Sequence, residues 1–307
     1  MSTRSTRSGA MLLLFAAGAL YSQTAPRSKQ STPVPGLSHA MVAVDSPTYA
    51  AILASRFLRE ELGALEVRTT AREGGRSYSG AYLYGRETYL EIQVSPGGAR
   101  DGLGQLYLGT DVEGDLHRVI NGLLARGGGP VTYGMANRFR GAQAVPWFYS
   151  ARILPSPYGV AGAVGGEESR FRLFLLEWHP QFLRGWLDDI PAESASVSRA
   201  ANLARQWKPN RFLRDIVGVT YALDEDEIAA AANRLTLLGY NVTTRQDTTT
   251  AIARELTVTL VPATRVLHGL VALHLTLQRI KEGERVYRFG PRSELRFGDG
   301  RDATWVF

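Results

Sequence analysis

Residues 37–45 read LSHAMVAVD, and residues 103–111 read LGQLYLGTD, which repeats the same pattern at a constant offset of 66 positions. In an extended chain His39, Met41 and Ala43 would lie on one face, and Ala40, Val42 and Val44 would lie on the other. Such alternation is typical of a β-strand between a helix and a cavity. The repeat places Gln105 where the first copy has His39, so it predicts two equivalent strands.

The first copy opens a longer unit. Ser46 or Thr48 can cap a following helix, and Pro47 suits its first turn. Three stretches with strand-like composition come next, separated by turns that contain glycine. The unit is therefore predicted to be βαβββ, with strands at 66–72, 78–84 and 87–94.

Two similar units follow along the chain. The second has a predicted helix at 113–125 and strands near 131–140, 147–153 and 170–179. In the third unit Gly218 occupies the place of His39, so this unit keeps the scaffold and lacks the imidazole. The sequence thus predicts an α+β fold of repeated βαβββ modules. Its parts are a paired domain at 37–185, a linker with a helix at 186–214, and a third module with a terminal hairpin at 215–307.

The N-terminal segment has the pattern of an export signal. Arg4 and Arg7 precede the apolar stretch MLLLFAAGAL at 11–20, which is too short to cross a bilayer. This predicts a signal peptide at 1–25, a disordered leader at 26–36, and a periplasmic or extracellular protein with no stable membrane span after cleavage. An N-terminal membrane anchor is the alternative.

Composition narrows the chemistry further. The chain has no cysteine, which excludes disulfides and thiolate metal sites, so a metal would need histidine, carboxylate or amide ligands. The formal charge is +6, and only three of the 35 basic residues are lysine, namely Lys29, Lys208 and Lys281. The arginines are spread along the chain, whereas nucleic-acid binding needs a clustered basic face. We therefore expect no nucleic-acid partner.

Three motifs in the first module carry a resemblance to a known family. They are SRFLREE at 55–61, RTTAR at 68–72 and GAYLYGRETYLE at 80–91. Together with the paired modules, these motifs resemble an uncharacterised bacterial glyoxalase-like family of the vicinal-oxygen-chelate superfamily, over about residues 37–180. The resemblance implies that two modules curl into an open barrel. It also implies a divalent metal, such as zinc, iron(II), manganese or nickel, held by the first and last strands of each module.

The residues that fit this implied metal site are His39, Glu91, Gln105 and Glu177. Strand alternation supports Glu91, because it shares a face with polar neighbours. The alternatives are a solvated edge glutamate for Glu91, a hydrogen-bonded core residue for His39, and a substrate hydrogen-bond donor for Gln105. If the metal site exists, His39, Glu91 and Glu177 converge on one cavity.

Other residues are candidates for catalysis and ligand binding. Glu177 and His179 lie two positions apart on a predicted strand, so Glu177 could reach a metal while His179 acts as a general base. The alternative is that His179 only ends the strand before a proline. The candidates for lining a pocket that holds a polar or anionic ligand are Tyr82, Tyr84, Arg68 and Arg72, although strand tyrosines and surface arginines are common.

These features leave three functional hypotheses open. One is a metal-dependent enzyme that acts on a carbonyl or vicinal-oxygen substrate. Another is a metal-free protein that binds or sequesters a small molecule. The third is a scaffold or interaction protein without catalysis. A homodimer is compatible with each of them.

Overall fold

The computed structural model of the protein describes residues 31–71, 77–95, 102–141, 143–153, 171–185 and 196–307. These residues form two eight-stranded sheets with few helices, which confirms the predicted α+β class with repeated modules. The predicted signal peptide lies outside the described residues. Of the expected leader, Pro35 contacts the folded part, because its carbonyl accepts a hydrogen bond of 2.9 Å from the hydroxyl of Tyr240. No helix within the described ranges is long and apolar enough to cross a membrane.

The first sheet contains the two modules predicted from the N-terminal repeat. Its strands lie in the order β2-β3-β4-β1-β5-β8-β7-β6, so the first strands of the two modules are neighbours at the centre. The two edge strands, β2 and β6, contact each other, so the sheet is curled into an open barrel. The strand bounds are β1 Gly36–Val44, β2 Leu65–Ala71, β3 Ser77–Tyr84, β4 Tyr89–Val94, β5 Gly104–Gly109, β6 Val131–Arg140, β7 Gln143–Ile153 and β8 Phe171–Trp178.

The register between β1 and β5 agrees with the offset of 66. His39 pairs with Tyr107, and Met41 pairs with Gln105. The positions 66 residues after His39 and Met41 are Gln105 and Tyr107. Residues that are equivalent in the two modules therefore pair reciprocally across β1 and β5. The two modules are therefore related by an approximate twofold axis between β1 and β5.

The second sheet repeats the order of the first, as β10-β11-β12-β9-β13-β16-β15-β14. It holds two four-stranded units, whereas the sequence suggested one module and a hairpin. The unit of β13 to β16 has no helix. A parallel pair of strands needs a crossover connection, usually a helix, and β16 accordingly runs antiparallel to β13. The bounds are β9 Leu213–Leu223, β10 Asn241–Arg245, β11 Thr248–Ala253, β12 Leu256–Pro262, β13 Gly269–Leu277, β14 Val286–Phe289, β15 Ser293–Phe297 and β16 Asp302–Val306.

The helices cover the face of each sheet that carries the apolar residues. The carboxylate of Asp45 caps the first helix by accepting a 2.7 Å hydrogen bond from the N–H of Thr48. The capping residue is therefore Asp45, and not Ser46 or Thr48 as the sequence predicted. Leu106 and Leu173 of the first sheet and Leu116 of the second helix belong to one buried cluster. The helices are α1 Ser46–Ala54, α2 Asp115–Ala125, α3 Pro180–Gly185, α4 Arg199–Leu203 and α5 Glu225–Leu237, with a π-helix at Leu58–Leu62.

The two sheets meet through backbone and buried polar contacts. The N–H of Leu270 donates to the carbonyl of Gly102 over 2.9 Å, where β13 begins beside β5. Gly269 has a φ of +77°, and a Cβ there would lie 1.8 Å from the Gly102 oxygen, so only glycine fits. Asp215 on β9 accepts bonds from the backbone N–H groups of Glu87 and Thr88, at 2.7 and 3.0 Å. The sheets therefore share one core.

Candidate small-molecule site

The curled first sheet encloses a cavity of about 370 Å³. This volume lies within the range of known small-molecule sites, about 300 to 1,000 Å³. The strands of both modules contribute to its wall, and α3 and α4 lie beside it. The lining residues are Arg68, Thr70, Tyr78, Tyr82, Tyr84, Tyr89, Glu91, Arg138, Trp147, Trp178, Phe182, Asn202, Leu203 and Gln206.

Strand alternation explains the tyrosines on one side of the cavity. Tyr82 and Tyr84 on β3 are two positions apart, and the side chain between them, Leu83, lies in the core on the opposite face. Their rings are stacked, with centroids 6.1 Å apart and planes within 8°. The ring of Tyr89 on β4 lies 5.8 Å from that of Tyr84. This side of the cavity is therefore a continuous aromatic surface.

The second module supplies another aromatic surface. The rings of Trp147 on β7 and Trp178 on β8 lie 6.4 Å apart. Phe182 of α3 stacks on Trp178, with centroids 6.3 Å apart and an angle of 24° between the planes. Trp178 and Phe182 are almost fully buried. Flat aromatic surfaces in the cavity wall favour a planar ligand.

Two arginines from the edge strands also line the cavity. The guanidinium of Arg68 on β2 lies over the rings of Tyr82 and Tyr84, at 5.7 and 5.9 Å from their centroids. The guanidinium of Arg138 on β6 lies 5.0 Å from the ring centroid of Trp147. Burial, followed by the charge of Arg68, lowers the pKa of Arg138 from its ordinary value. The two positive groups thus act on each other across the seam between β2 and β6.

Two buried hydrogen-bond donors in the cavity wall have no partner among the described residues, and the acceptor Oε1 of Gln206 in the same wall has none either. The two donors are the hydroxyl of Tyr84 and the indole Nε1 of Trp178. Both side chains are nearly fully buried, at 4% and 2% exposure. An unsatisfied buried donor costs about 1 to 3 kcal/mol, so such groups are rare without a functional reason.

Glu91 lies in the cavity wall, on the strand face expected from the sequence. Its side chain is buried, and its Oε1 accepts a 2.6 Å hydrogen bond from the amide of Gln93. Burial, followed by the negative charge of Glu91, raises the pKa of Tyr82 and of Tyr89 above the ordinary value. The tyrosines near this carboxylate therefore remain neutral hydrogen-bond donors at physiological pH.

His39 does not line the cavity. Its ring is stacked between Tyr89 and Tyr107, with centroids 4.3 and 3.9 Å away. Burial lowers the pKa of His39 to about 3, so the imidazole is neutral at physiological pH. Its Nδ1 lies 3.3 Å from the hydroxyl of Ser38. These contacts match the alternative of a core histidine.

Glu177 points away from the cavity, to the start of α2. Its carboxylate accepts bonds from the hydroxyl of Thr110 at 3.0 Å and from the N–H groups of Gly114 and Leu116 at 2.9 Å each. The residue that precedes α2, Gly114, has no side chain to cap the helix, so Glu177 supplies the acceptor. The neighbouring Trp178 faces the cavity, and Glu177 therefore lies on the opposite face of β8.

The strand register explains why Glu177 is not the counterpart of Glu91. Glu91 pairs with Met41, whose equivalent in the second module is Tyr107, and Tyr107 pairs with Phe174. Phe174 is thus the true counterpart. Glu177 lies three residues further along, and an odd shift moves a side chain to the other face of the sheet.

Of the remaining candidate residues in the described part of the chain, three line the cavity and two do not. Gln105 accepts a 2.6 Å bond from the hydroxyl of Tyr107 and does not line the cavity. His179 follows β8, and its Nδ1 accepts a 3.1 Å bond from the N–H of Gln181 in α3. The predicted ligand contacts Tyr82, Tyr84 and Arg68 do lie in the cavity wall. Arg72 is outside the described residues.

The implied metal ligands therefore do not form a common site. Glu177 and His39 lie on opposite sheet faces, and only Glu91 of the four predicted ligands lines the cavity. Within the described ranges, no group of three or more histidine and carboxylate side chains is placed to hold a metal. The expected convergence of His39, Glu91 and Glu177 is thus not found, and this set of residues does not fit a divalent metal.

Four of the fourteen lining residues were predicted from the sequence, and all four lie in the first module. Arg138, Trp147 and Trp178 lie in the second module, where the prediction rested on Glu177 and its face of the strand. The apolar residues Leu173 and Leu175 are in the core, and Glu177 continues their alternation, so the sequence did contain a signal that Trp178 faces the other way. The cavity residues of the linker, such as Asn202, show no comparable pattern.

Comparison with known families identifies this architecture. A profile described as "Family of unknown function (DUF5829)" matches residues 37–307. The chain belongs to this family. No curated protein matches the DUF5829 chain.

Solved structures give a further comparison for this DUF5829 member. A hypothetical protein from Staphylococcus aureus is similar with a TM-score of 0.50 and 13% identity, over 87% of this chain and 97% of that chain. At that identity the similarity concerns the fold alone. Weaker similarity is found to catechol 2,3-dioxygenase, with a TM-score of 0.41 and 10% identity over 78% of this chain and 69% of that one.

Proposed function

We propose that this protein binds a small planar organic molecule in the cavity of the first sheet, using protein side chains without a metal. The cavity volume of about 370 Å³ and the two aromatic surfaces support this proposal. Rings such as those of Tyr82 and Trp178 would contact the flat faces of the ligand.

The unpartnered hydroxyl of Tyr84 and indole N–H of Trp178 are the observation that carries the proposal. A folded protein tolerates such atoms where a ligand or ordered water satisfies them. Both side chains line the same cavity, and acceptor atoms on a bound ligand are the partners that we propose for them. A scaffold protein without a ligand would gain stability from phenylalanine at position 84.

Tryptophan fluorescence offers a direct test, because two of the five tryptophans line the cavity. The full chain is titrated with 4-hydroxybenzoate and with its neutral amide, 4-hydroxybenzamide. We expect saturable quenching by at least one of them. An Asn202→Phe substitution should remove the response by filling the cavity from α4. Ala204→Phe adds the same ring at an exposed position beyond the cavity and should leave the response intact.

A second candidate function is proton transfer by Glu91. The observation that favours it is a buried carboxylate in the cavity wall, held in place by the amide of Gln93. The test is exchange of an acidic C–H proton of a bound carbonyl probe, phenylpyruvate, with deuterium solvent. Glu91→Gln should abolish any catalysed exchange and retain binding. Equal exchange rates for the wild type and the variant exclude this role.

Export remains part of the proposal. It is supported by the basic residues and the apolar stretch at 11–20. The mature chain should begin between about Ala19 and Pro26. Intact-mass analysis of protein from the native host measures this directly, and an uncleaved N-terminus would contradict it.

A further inference from the structure

We infer that Arg68 and Arg138 form a clamp for one acidic group of the ligand, so that the ligand class is a monoanionic aromatic acid. The inference rests on the proposed function and adds the chemistry of the bound molecule. The two arginines come from the opposite edges of one curled sheet, and both line the same cavity.

The position of each guanidinium is fixed by an aromatic surface. Arg68 lies over Tyr82 and Tyr84, while Arg138 lies over Trp147 and, at 6.0 Å, over Phe182. Cation–π contacts of this kind hold an arginine in a preferred orientation. The aromatic rings that would contact a flat ligand are thus the same rings that carry the two positive charges.

Arg68 retains hydrogen-bonding capacity for a ligand. Its Nε and Nη2 donate to the carboxylate of Glu66, at distances of 3.0 to 3.2 Å. Within the described residues its Nη1 makes no hydrogen bond, so Nη1 can donate to a ligand beside Nη2 at the forked end of the guanidinium. Arginine binds carboxylates through such forks with well-defined geometry.

The charges around the clamp favour a single negative charge. Arg68 and Arg138 contribute two positive charges, and Glu66 is the carboxylate that acts on Arg68, which leaves one positive charge in excess at the clamp. Glu91 lies in the same cavity wall, and its charge acts on Tyr82 and Tyr89. Neighbouring like charges oppose each other, and an anion between them would relieve that repulsion. A cationic ligand would add to it. The aromatic surfaces alone would admit either, and the arginines select the anion.

The test compares three probes of nearly equal size with the full chain at pH 7.5. They are anionic 4-hydroxybenzoate, neutral 4-hydroxybenzamide and cationic 4-hydroxybenzylamine, titrated by tryptophan fluorescence and calorimetry. We expect the wild type to bind the benzoate at least about tenfold more tightly than the amide, with lower affinity at high salt. The amine should bind weakest.

Charge-removing variants test the two arginines separately. Arg68→Gln and Arg138→Gln should each weaken benzoate binding roughly tenfold to hundredfold and change amide binding less than about threefold, since hydrogen bonds to a charged group are strong. Arg152→Gln is the matched control. Arg152 lies over Phe174 on the same sheet and does not line the cavity, so its removal should change neither affinity. Melting curves establish that the variants are folded.

The outcomes separate the two proposals. If the amide or the amine binds the wild type as tightly as the benzoate, or if the arginine variants weaken all probes equally, the clamp is overturned while the proposed function stands. If no probe gives a saturable response, the proposed function fails and the clamp fails with it. Selective loss of benzoate binding in both arginine variants, with the control unchanged, supports the clamp.

Discussion

Arg199 forms two hydrogen bonds of 3.0 Å with the two carboxylate oxygens of Asp111, one from Nε and one from Nη2. Its Nη1 donates a further bond of 2.6 Å to the carbonyl of Leu37, and its side chain is only 2% exposed. Arg199 belongs to α4, whereas Leu37 and Asp111 lie at the two central strands of the first sheet. The pair therefore attaches the linker to the sheet that encloses the cavity.

Replacing Arg199 with leucine should lower the free energy of unfolding by about 2 to 4 kcal/mol, because the partly buried carboxylate of Asp111 and the carbonyl of Leu37 would lose their donor. Urea denaturation measures the change. Arg254→Gln is the control, since Arg254 is half exposed and its Nη1 lies 3.5 Å from the same carboxylate. We expect a loss below about 1 kcal/mol for it. Equal losses for the two variants would contradict the assigned role of Arg199.

The same pair predicts a pH dependence. Burial alone would raise the pKa of Asp111, but the hydrogen bonds and charge of Arg199 outweigh it, and the net pKa is lowered. The resulting stabilisation is fully present above the unfolded pKa of about 4 and is lost as pH falls through the lower folded value. Below about pH 4, the free energy of unfolding should therefore change less steeply with pH in Arg199→Leu than in the wild type, as measured by urea denaturation at each pH.

His39 predicts a different pH window. Burial lowers its pKa to about 3, while the unfolded chain has an imidazole pKa of about 6.5. Below pH 6.5 the unfolded state therefore binds a proton that the native state does not take up. The free energy of unfolding should fall by about 2 kcal/mol between pH 6.5 and pH 5, which urea titrations at each pH measure.

Two variants isolate the contribution of His39. His39→Phe keeps a ring between Tyr89 and Tyr107 and removes the titration of His39, so it should reduce the slope between pH 6.5 and 5. Burial also lowers the pKa of His179 and of His274, which account for the slope that remains. His117→Gln is the control for loss of an exposed imidazole. An unchanged slope in His39→Phe would contradict the assigned role of His39.

The sequence predicted the first strands of the modules better than the last ones. The offset of 66 between His39 and Gln105 matches the observed register, because each residue lies in the first strand of its module and these two strands pair directly. The last strands do not keep this offset, because Glu91 and its counterpart Phe174 are 83 positions apart. Chemical similarity to Glu91 therefore predicted the wrong residue, Glu177.

The C-terminal unit shows a second limit of sequence reasoning. The βαβββ pattern includes a helix after the first strand, and the unit of β13 to β16 has no such helix. A strand as short as Val286–Phe289 offers too few residues for a clear alternation. Strand alternation predicted that Glu91 faces the cavity, whereas the cavity residues of the linker depend on tertiary packing.

Glu177 should affect stability, because it caps α2. Glu177→Gln replaces one acceptor oxygen with an NH₂ group. This group would face either the N–H of Gly114, at the Oε1 position, or the N–H of Leu116 and the hydroxyl of Thr110, at the Oε2 position. We expect a loss of about 2 to 4 kcal/mol in urea denaturation. Glu113→Gln changes an exposed carboxylate beside the same helix and should stay within about 0.5 kcal/mol. A neutral effect of Glu177→Gln would contradict the capping role.

Tyr84→Phe tests whether the hydroxyl of Tyr84 contributes to ligand binding or to the stability of the fold. The Tyr84 hydroxyl is buried without a partner among the described residues, so its removal should leave the stability of the ligand-free protein unchanged or raise it by up to about 1 kcal/mol. The same substitution should weaken benzoate binding, because the ligand would lose a hydrogen-bond donor. Tyr49→Phe is the control, since Tyr49 lies on α1 and does not line the cavity. Thermal melts and fluorescence titrations of the same samples give both quantities. If Tyr84→Phe destabilises the free protein and leaves the affinity unchanged, its hydroxyl serves folding and the proposed site loses its main support.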